Sequence, residues 1–404
     1  MPLALKPLVP KDKRFVRSLR FREFLSFGPE SPGLNLRPLN VLVGPNGVGK
    51  SNLLEGIDLL RSTPMDLRNY VNLAGGAADL IWSGSGAAGS ASLDLAVNLQ
   101  DAMVRHHIEI SSVQSTFRIE DEFVDTAREA GDRKISTLYD FRRGKPEIKL
   151  AGSGKRSRPA QSLSLQEHNP TASVLSQRKD SIQYPELTAL NSKYSSVKRY
   201  RVWSTGISAL KRPTDASKPS DCLSESFDNL SLVVNDLDHR QDGMRTINEM
   251  MKRCVGGFER LSVKVEPGGA RLFLHDKLVR AIPSSRLSDG TLYFLSLCVV
   301  LCHPKPPPLI CLEEPELGLH PDMMHVLAEM LIEASSRTQV LVTTHSDALV
   351  DALTDTPEAI IVCEKDEKGS TVFRRLNAKL LENWLKDYSL GNLWRSGKIG
   401  GNRW

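Results

Sequence analysis

Short, wholly apolar runs alternate along this chain with segments whose apolar residues recur at helical spacing. Residues 104–150 instead alternate apolar and polar positions between turns, which is typical of antiparallel strands. Residues 52–60 and 292–301 have the length and apolar content of helices. The apolar runs have the length of parallel strands buried on both faces, and they lie at 39–43, 308–312 and 339–342. The pattern predicts an α/β fold: a mixed sheet with flanking helices and an antiparallel β-subdomain.

The segment between the first apolar run and the first helix has chemistry of its own. Residues 44–51 read Gly-Pro-Asn-Gly-Val-Gly-Lys-Ser and fit the pattern G-x-x-x-x-G-K-[ST] of a phosphate-binding loop, the P-loop. Glycines let backbone N–H groups turn towards phosphates at a helix N-terminus, where the partial positive charge favours anions. We expect Lys50 to reach the phosphates and Ser51 to offer its hydroxyl to Mg²⁺. A Gly-rich turn without nucleotide is the alternative, but strand, loop and helix agree. The contacts expected for the nucleotide come from Asn46, Gly47, Gly49, Lys50, Ser51 and Asn52.

The second apolar run ends in two adjacent carboxylates, Glu313 and Glu314. Ligand-binding groups in parallel sheets gather at the carboxyl ends of the strands. We therefore expect Glu313 to hold Mg²⁺ and Glu314 to polarise an attacking water. A strand that simply ends at a solvated acidic turn is the alternative, and the P-loop makes it the weaker one.

Two further segments complete the set. Residues 285–291, Ser-Arg-Leu-Ser-Asp-Gly-Thr, precede an apolar helix and form a second candidate anion-binding helix start, with Ser288 and Gly290. The third apolar run ends in Thr-Thr-His-Ser, and His345 there can touch a terminal phosphate from the neighbouring strand end.

The order of these four motifs resembles the ABC-type ATPases of the RecF, SMC and OLD group. It is most similar to the small bacterial members often described as AAA-family ATPases. The resemblance covers residues 14–60 and 225–404 well and the middle only by position. It implies an ATPase head domain with ATP and Mg²⁺ as ligands. Residues 151–220 are rich in Ser, Lys, Arg and Pro with few periodic apolar positions, which predicts a small helical or irregular lid. Asp289-Gly290-Thr291 differs from transporter signatures, and Glu313 stands where Asp is usual.

The resemblance also implies a mechanism. In this group two heads enclose two ATP molecules, so Ser288 and Gly290 would act on the nucleotide of the partner copy. Lys50, Glu314 and His345 would act as catalytic residues on the chain's own nucleotide. Hydrolysis would then require a homodimer or a higher assembly. Residues 316–321 would form the loop that communicates between the two sites.

The predicted organisation has three parts. Residues 1–150 form the first half of the ATPase lobe with the β-subdomain, 151–283 a basic lid with helices and a hairpin, and 284–404 the second half. Gln100 is the candidate for the Q-loop residue of the resembled group. The chain has no sustained heptads for a long coiled-coil arm and no room after His345 for a TOPRIM nuclease domain.

Composition agrees with a cytoplasmic enzyme. The 404 residues are 40% hydrophobic and 25% charged, enough for a substantial core. The six cysteines lack C-x-x-C spacing, and four of them, in apolar runs, read as core residues. The apolar runs are far shorter than the about 20 residues that span a bilayer, and no signal peptide is visible.

Charge is concentrated in the middle of the chain. Residues 141–220 contain 16 Lys and Arg against 5 Asp and Glu, a local net charge of +11, whereas the whole chain carries +5. Tyr194, Tyr200 and Trp203 are interleaved with these cations and are candidates for stacking on bases. A nucleic-acid surface and a solvated flexible surface remain equal alternatives. The cations considered for nucleic acid include Arg142, Arg143, Lys145, Lys155, Arg156, Arg158, Lys198, Arg199 and Arg201.

The glycine-rich C-terminus carries Trp394 and Trp404, which either pack on the lobe or form a handle for a partner. Members of the resembled group often work beside a separately encoded nuclease-like protein. Two functions therefore remain open. In one, ATP-dependent dimerisation acts as a sensor or switch in bacterial defence against phage or foreign DNA and controls such an effector. In the other, the chain is a RecF-like DNA-repair ATPase that clamps DNA directly.

Overall fold

The structure is a computed structural model. It describes residues 14–84, 89–99, 102–113, 116–128, 135–142, 145–149, 160–162, 169–201, 210–211, 213–215, 217–240, 243–267, 269–278 and 281–401. The strands are β1 Val16–Arg22, β2 Leu34–Asn35, β3 Leu39–Val43, β4 Ser90–Leu99, β5 Ala102–Val113, β6 Thr116–Arg128, β7 Ile135–Arg142, β8 Lys145–Lys149, β9 Ala160–Ser162, β10 Lys198–Arg201, β11 Phe258–Glu266, β12 Gly269–Asp276, β13 Ile282–Pro283, β14 Leu309–Glu313, β15 Gln339–Thr344, β16 Ile360–Lys365 and β17 Thr371–Arg375. The helices are α1 Lys50–Ser62, α2 Leu67–Leu73, α3 Ala77–Leu80, α4 Val174–Gln177, α5 Pro185–Ser196, α6 Leu230–Arg240, α7 Met244–Cys254, α8 Asp289–Cys302, α9 Met324–Ser335, α10 Asp347–Asp351, α11 Ala378–Leu381 and α12 Leu390–Arg395.

The apolar runs form the centre of a six-stranded sheet with the order β10-β14-β15-β3-β16-β17. Every neighbouring pair in it is parallel except β16 and β17. The parallel strands are apolar on both faces because each face is covered, which explains why these runs do not alternate. The carboxyl ends of β14, β15 and β3 lie side by side, so the segments that follow these strands meet at one edge.

Two apolar layers cover the two faces of this sheet. On one face, Leu42 and Leu341 pack with α1 and with the inner face of an antiparallel eight-stranded sheet. On the other face, Val41 and Val342 pack with the long helices α8 and α9. The eight-stranded sheet has the order β2-β1-β4-β5-β6-β7-β8-β9 and contains the predicted β-subdomain. The mixed α/β architecture with an antiparallel subdomain is therefore confirmed.

The region predicted as a lid differs from its prediction in one important respect. Its helices α4 to α7 and its hairpin, β11 and β12, are present. Residues 198–201, however, form strand β10 and pair in parallel with β14 at the edge of the central sheet. The alternation of Arg199, Tyr200 and Arg201 is a strand pattern, and the structure shows that one stretch of the lid is part of the ATPase sheet.

A close contact between α1 and β1 fixes the position of the helix that follows the P-loop. Gly56 lies in the middle of α1, and a Cβ atom there would come within 2.4 Å of the Phe21 ring. Phe21 is 2% exposed and packs against Phe24 and Phe27. The glycine therefore allows an aromatic ring to lie directly on the helix backbone, although glycine lowers helix propensity.

Gly56→Ala should therefore destabilise the protein, by about 1–3 kcal/mol of unfolding free energy, because the added methyl group overpacks the contact. Helix propensity alone would predict a gain of about 1 kcal/mol. Chemical denaturation measures the difference, and Gly56→Ala with Phe21→Leu should recover part of the loss. Ser192→Ala, at an exposed position of α5, is the matched control and should be close to neutral. A Gly56→Ala protein more stable than wild type would contradict the packing argument.

Candidate nucleotide and metal site

The P-loop connects the end of β3 to the first residue of α1. Gly49 precedes the helix with a left-handed φ of 103°, and no side chain caps the first turn. A Cβ atom on Gly49 would lie 2.2 Å from Oγ1 of Thr371 and 2.3 Å from Oγ of Ser26. At the tip, Gly47 has a φ of 74° and is exposed together with Asn46. The loop thus presents an uncapped helix N-terminus, as an anion-binding site requires.

Lys50 lies inside this loop. Its side-chain ammonium donates hydrogen bonds to the carbonyl oxygens of Gly44 and Pro45, each at 2.8 Å, and the residue is 6% exposed. Asn52 is half-buried in the first turn of α1. A buried ammonium held by backbone carbonyls, next to uncapped amides, fits a polyphosphate anion.

Ser51 and Glu313 bring the two predicted metal ligands together. The Ser51 hydroxyl donates to Oε1 of Glu313 at 2.8 Å, although the residues are 262 positions apart. Glu313 is the last residue of β14 and is 7% exposed. Burial would raise the pKa of Glu313, but Arg199, Ser51 and Arg201 outweigh burial and hold this pKa below its ordinary value. The carboxylate is therefore ionised near neutral pH.

The pair fits a magnesium ion shared with a nucleotide. A hydroxyl and an ionised carboxylate are oxygen ligands of the kind Mg²⁺ prefers. In the described part of the chain, no group of three or more His, Cys, Asp and Glu could hold a metal ion. Ser51 and Glu313 would thus hold Mg²⁺ together with nucleotide phosphates, where the ion would neutralise phosphate charge.

Two residues of this site, Arg199 and Arg201, were not predicted as metal-site residues from the sequence. Arg199 donates to Oε2 of Glu313 at 2.9 Å and to Glu55 at 3.0 Å, and it also bonds Asp58. Arg201 contacts both carboxylate oxygens of Glu313, at 3.0 and 2.8 Å. The signal was present as two arginines at strand spacing, which places both on one face of a strand.

The same contacts correct part of the nucleic-acid interpretation. Arg199 is 10% exposed at its side chain and is held by three carboxylates. Tyr194 and Tyr200 are 2% and 3% exposed, and the Tyr200 hydroxyl donates to the Leu223 carbonyl. The prediction that these tyrosines stack on bases is wrong, because both belong to the core. Of the other residues considered there, Arg143, Lys155, Arg156, Arg158 and Trp203 lie outside the described residues, as does the Q-loop candidate Gln100.

Glu314 follows Glu313 in an uncommon backbone conformation. Its φ is 49°, in the left-handed region that non-glycine residues rarely adopt, and its N–H donates to the Thr343 carbonyl at 2.9 Å. Its Oε1 lies 3.5 Å from Nε2 of His345, which follows the neighbouring strand β15. Both side chains are partly exposed, at 33% and 23%. The turn thus directs the carboxylate along the carboxyl edge of the sheet, and such strain often marks functional sites.

Glu316 accepts hydrogen bonds from the segment that contains His345, here called the histidine segment (residues 344–346). Its Oε1 accepts a hydrogen bond from the Thr344 hydroxyl at 2.6 Å and from the His345 N–H at 2.9 Å. Burial raises the pKa of Glu316 above its ordinary value, although these donors lower it. The loop predicted to communicate between two sites thus begins with a residue that fixes His345.

Residues 285–291, here called the signature segment, lie beside that same loop. The Ser288 hydroxyl caps α8 by accepting the Thr291 N–H at 3.2 Å. A Cβ atom on Gly290 would come within 2.9 Å of the Gly318 carbonyl oxygen. Across the described ranges, no hydrogen bond or ion pair joins Ser288 or Gly290 to the P-loop or Glu313. The chain therefore assembles one part of the predicted site and presents the other part separately.

The C-terminal segment packs beside the P-loop. The indole N–H of Trp394 donates to the Gly401 carbonyl at 2.9 Å, and the Gly401 N–H donates to Glu364 at 2.9 Å. A Cβ atom on Gly401 would lie 3.5 Å from the Cα of Gly44. Trp394 is 4% exposed, so its packing on the lobe is confirmed, whereas Trp404 lies outside the described residues.

Fold and site together define a protein of the P-loop nucleoside-triphosphate-binding class. The family model described as "AAA domain, putative AbiEii toxin, Type IV TA system" matches residues 39–351, more than half of the chain. The chain belongs to this family. A search of curated proteins gives no match.

Solved structures show the same fold at low sequence identity. An SMC head bound to the C-winged helix domain of ScpA is 15% identical, with a TM-score of 0.56, and the match covers 91% of this chain and 99% of that one. A Pyrococcus furiosus Smc head with an extended coiled coil, bound to the C-terminal domain of ScpA, is 14% identical, with a TM-score of 0.56 and coverage of 92% and 99%. At this identity the likeness establishes the fold, that of an SMC ATPase head. None of the helices in the described ranges is long and apolar enough to cross a membrane.

Glu316→Ala should destabilise the protein by about 1–3 kcal/mol, because the buried donors on Thr344 and His345 lose their acceptor. Glu316→Gln keeps a carbonyl oxygen at the same place and should cost less. Unfolding in guanidinium chloride measures both, with Glu382→Ala, at an exposed glutamate, as the neutral control. Equal stability of Glu316→Ala and wild type would show that Glu316 does not support the histidine segment.

Proposed function

We propose that this chain binds ATP with Mg²⁺ and hydrolyses it between two copies of itself. The observation that carries the proposal is the assembly, at one edge of the sheet, of Lys50, the Ser51–Glu313 pair and the Glu314–His345 pair. These groups supply a phosphate-binding ammonium, two oxygen ligands, a candidate general base and a neighbouring imidazole. Phosphoryl transfer to water needs this set, since its catalysis is chiefly positioning and electrostatic stabilisation.

Each residue has a definite role in this reaction. Lys50 and the uncapped amides of α1 bind the phosphates, and Ser51 and Glu313 hold the metal ion that neutralises them. Glu314 orients the attacking water and accepts its proton as the new bond to the terminal phosphorus forms, while the bond from that phosphorus to the bridging oxygen breaks and ADP leaves. His345, 3.5 Å from Glu314, is placed to donate a hydrogen bond to the terminal phosphate or to orient the carboxylate.

The placement of the signature segment supports the proposed dimer. Gly290 lies against the carbonyl of Gly318, and the Ser288 hydroxyl accepts the Thr291 N–H of its own helix. We propose that they reach the nucleotide of a partner copy, so that ATP holds two heads together until hydrolysis releases them.

We propose further that this nucleotide-dependent assembly is the switch of a bacterial defence system that controls a separate nuclease-like effector. The family description names a putative toxin of a type IV TA system, which supports a role in such a system. The two SMC heads similar in fold were solved with a ScpA domain bound, which supports docking of a second protein on this fold. The RecF-like DNA clamp is the other candidate, and the buried Tyr194 and Tyr200 weaken it.

Glu314→Gln should lower the ATP hydrolysis rate by about 10²–10⁴-fold, because the general base is lost. ATP should still bind, and the protein should shift from monomer to dimer. Light scattering with and without ATP and Mg²⁺ measures the shift, and a parallel sample with short duplex DNA tests the clamp. Co-elution of DNA only with ATP would favour the repair function. ATP hydrolysis by the Glu314→Gln protein at the wild-type rate would refute the assignment of Glu314 as the general base.

Lys50→Ala should weaken ATP binding by about 10- to 100-fold, because a charge-assisted contact to phosphate contributes about 1.5–3 kcal/mol.

Ser288→Arg in the Glu314→Gln protein should leave ATP binding intact and prevent the ATP-dependent dimer from forming. Ser336→Arg is the matched control, since Ser336 is exposed and precedes β15 at the opposite end of the strand from His345. If Ser288→Arg still dimerises with ATP, the signature segment does not form the interface.

A further inference from the structure

Strand β10 places two arginines against the carboxylate of the candidate metal site. In the parallel pairing of β10 and β14, Arg201 is the direct partner of Glu313. Arg199 lies two residues earlier and therefore on the same face of the strand. Both guanidinium groups contact Glu313, but their surroundings differ, and the difference separates their roles.

Arg199 is a fixed structural cation. It bonds Glu55 and Asp58 on α1 as well as Glu313, and its backbone N–H donates to Glu225 at 2.6 Å. These partners surround the guanidinium, whose side chain is 10% exposed. Moving Arg199 would remove one counter-charge from three carboxylates at once, Glu55, Asp58 and Glu313, which is costly where they are buried. Arg199 therefore anchors β10 to α1 and fixes the backbone position from which the Arg201 side chain extends.

Arg201 is the more exposed of the two arginines. Its side chain is 48% exposed, and its Nη2 and Nε contact the two carboxylate oxygens of Glu313 at 3.0 and 2.8 Å. The oxygen that accepts from Nη2 is the one that accepts from the Ser51 hydroxyl. Arg201 also borders a cavity of about 840 Å³ on the flank of α1 and α2. The guanidinium thus lies beside the predicted metal ligands with open space next to it.

The present partners of Glu313 compete with a metal ion. A divalent cation held by Ser51 and Glu313 would lie close to the positive charge of Arg201, and like charges repel strongly in a partly buried site. The terminal phosphate of ATP offers an alternative partner, since planar guanidinium groups bind phosphate oxygens in a bidentate manner. Arg201 and Ser51 donate to the same oxygen of Glu313, which places the guanidinium beside the first turn of the P-loop helix.

We propose that Arg201 senses the terminal phosphate: it holds Glu313 when no nucleotide is bound and moves from Glu313 to the γ-phosphate when ATP enters with Mg²⁺. Arg201 thereby distinguishes ATP from ADP. The inference rests on the proposed ATP site and adds a specificity-determining residue to it.

The test compares the affinities for ATP and ADP, both with Mg²⁺, in the non-hydrolysing Glu314→Gln protein. Arg201→Ala in this background should weaken ATP binding by about tenfold or more, because a bidentate charge-assisted contact is lost. ADP binding should stay within about twofold, since ADP lacks the phosphate that Arg201 contacts. Arg201→Lys should lie in between for ATP, because an ammonium cannot make the bidentate contact. Calorimetry measures the ATP and ADP affinities of the background protein and of both Arg201 variants.

A merely structural role would give a different result. If Arg201 only positions Glu313, both nucleotides lose affinity equally and the ratio of ATP to ADP affinity does not change, which overturns the proposal. An unchanged ATP affinity overturns it as well. Arg240→Ala is the matched control: that arginine is 52% exposed and paired with Asp236, and its removal should change neither affinity. Lys50→Ala should weaken the binding of both nucleotides. If a protein with intact Lys50 binds neither ATP nor ADP, the proposed ATP site itself is refuted.

Discussion

The Glu313 carboxylate joins the elements on which the candidate site depends. It accepts the hydroxyl of Ser51 from the P-loop helix, and it binds Arg199 and Arg201 from strand β10. A carboxylate that is 7% exposed remains ionised only when cations and donors compensate for its lost hydration. The sheet therefore needs the arginines of β10 beside β14, and the P-loop helix is tied to the same group. One buried charge thus fixes the relative positions of three segments that are far apart in the sequence.

The carboxyl edge of the parallel sheet explains why the other functional groups lie where they do. Glu314 leaves β14 in a left-handed conformation and faces His345, whose backbone is held by Glu316. The antiparallel layer contributes through packing: the ring of Phe21 lies on α1 at Gly56, and Thr371 fills the space below Gly49. The P-loop is thus packed against Thr371 and Ser26 at Gly49, while its tip at Asn46 and Gly47 is exposed to solvent. A large anion requires such an open face at the helix N-terminus.

The middle of the chain shows how composition can mislead. Residues 141–220 carry a net charge of +11, and counting alone treats every cation there as available to a partner. The charge of Arg199 is instead paired with Glu55, Asp58 and Glu313. Tyr194 lies in the core next to His106. Net charge describes a surface only after the buried ion pairs have been removed. Carboxylates that pair with Arg199 come from α1 and β14, outside the counted segment, so the local sum could not include them.

The sequence by itself determined the class of fold, the P-loop and the order of the motifs. These properties are local: an apolar run, a glycine pattern and a helix start are each set by neighbouring residues. Glu313 and Ser51 were also identified, because strand ends and P-loops have known chemistry. Only the tertiary structure decided that β10 belongs to the central sheet, that Arg201 faces Glu313, and that Trp394 holds Gly401 beside Gly44. Those contacts join residues that lie far apart in the sequence or belong to different elements. Pairing between distant strands depends on burial and charge compensation across the whole molecule, which no local pattern records.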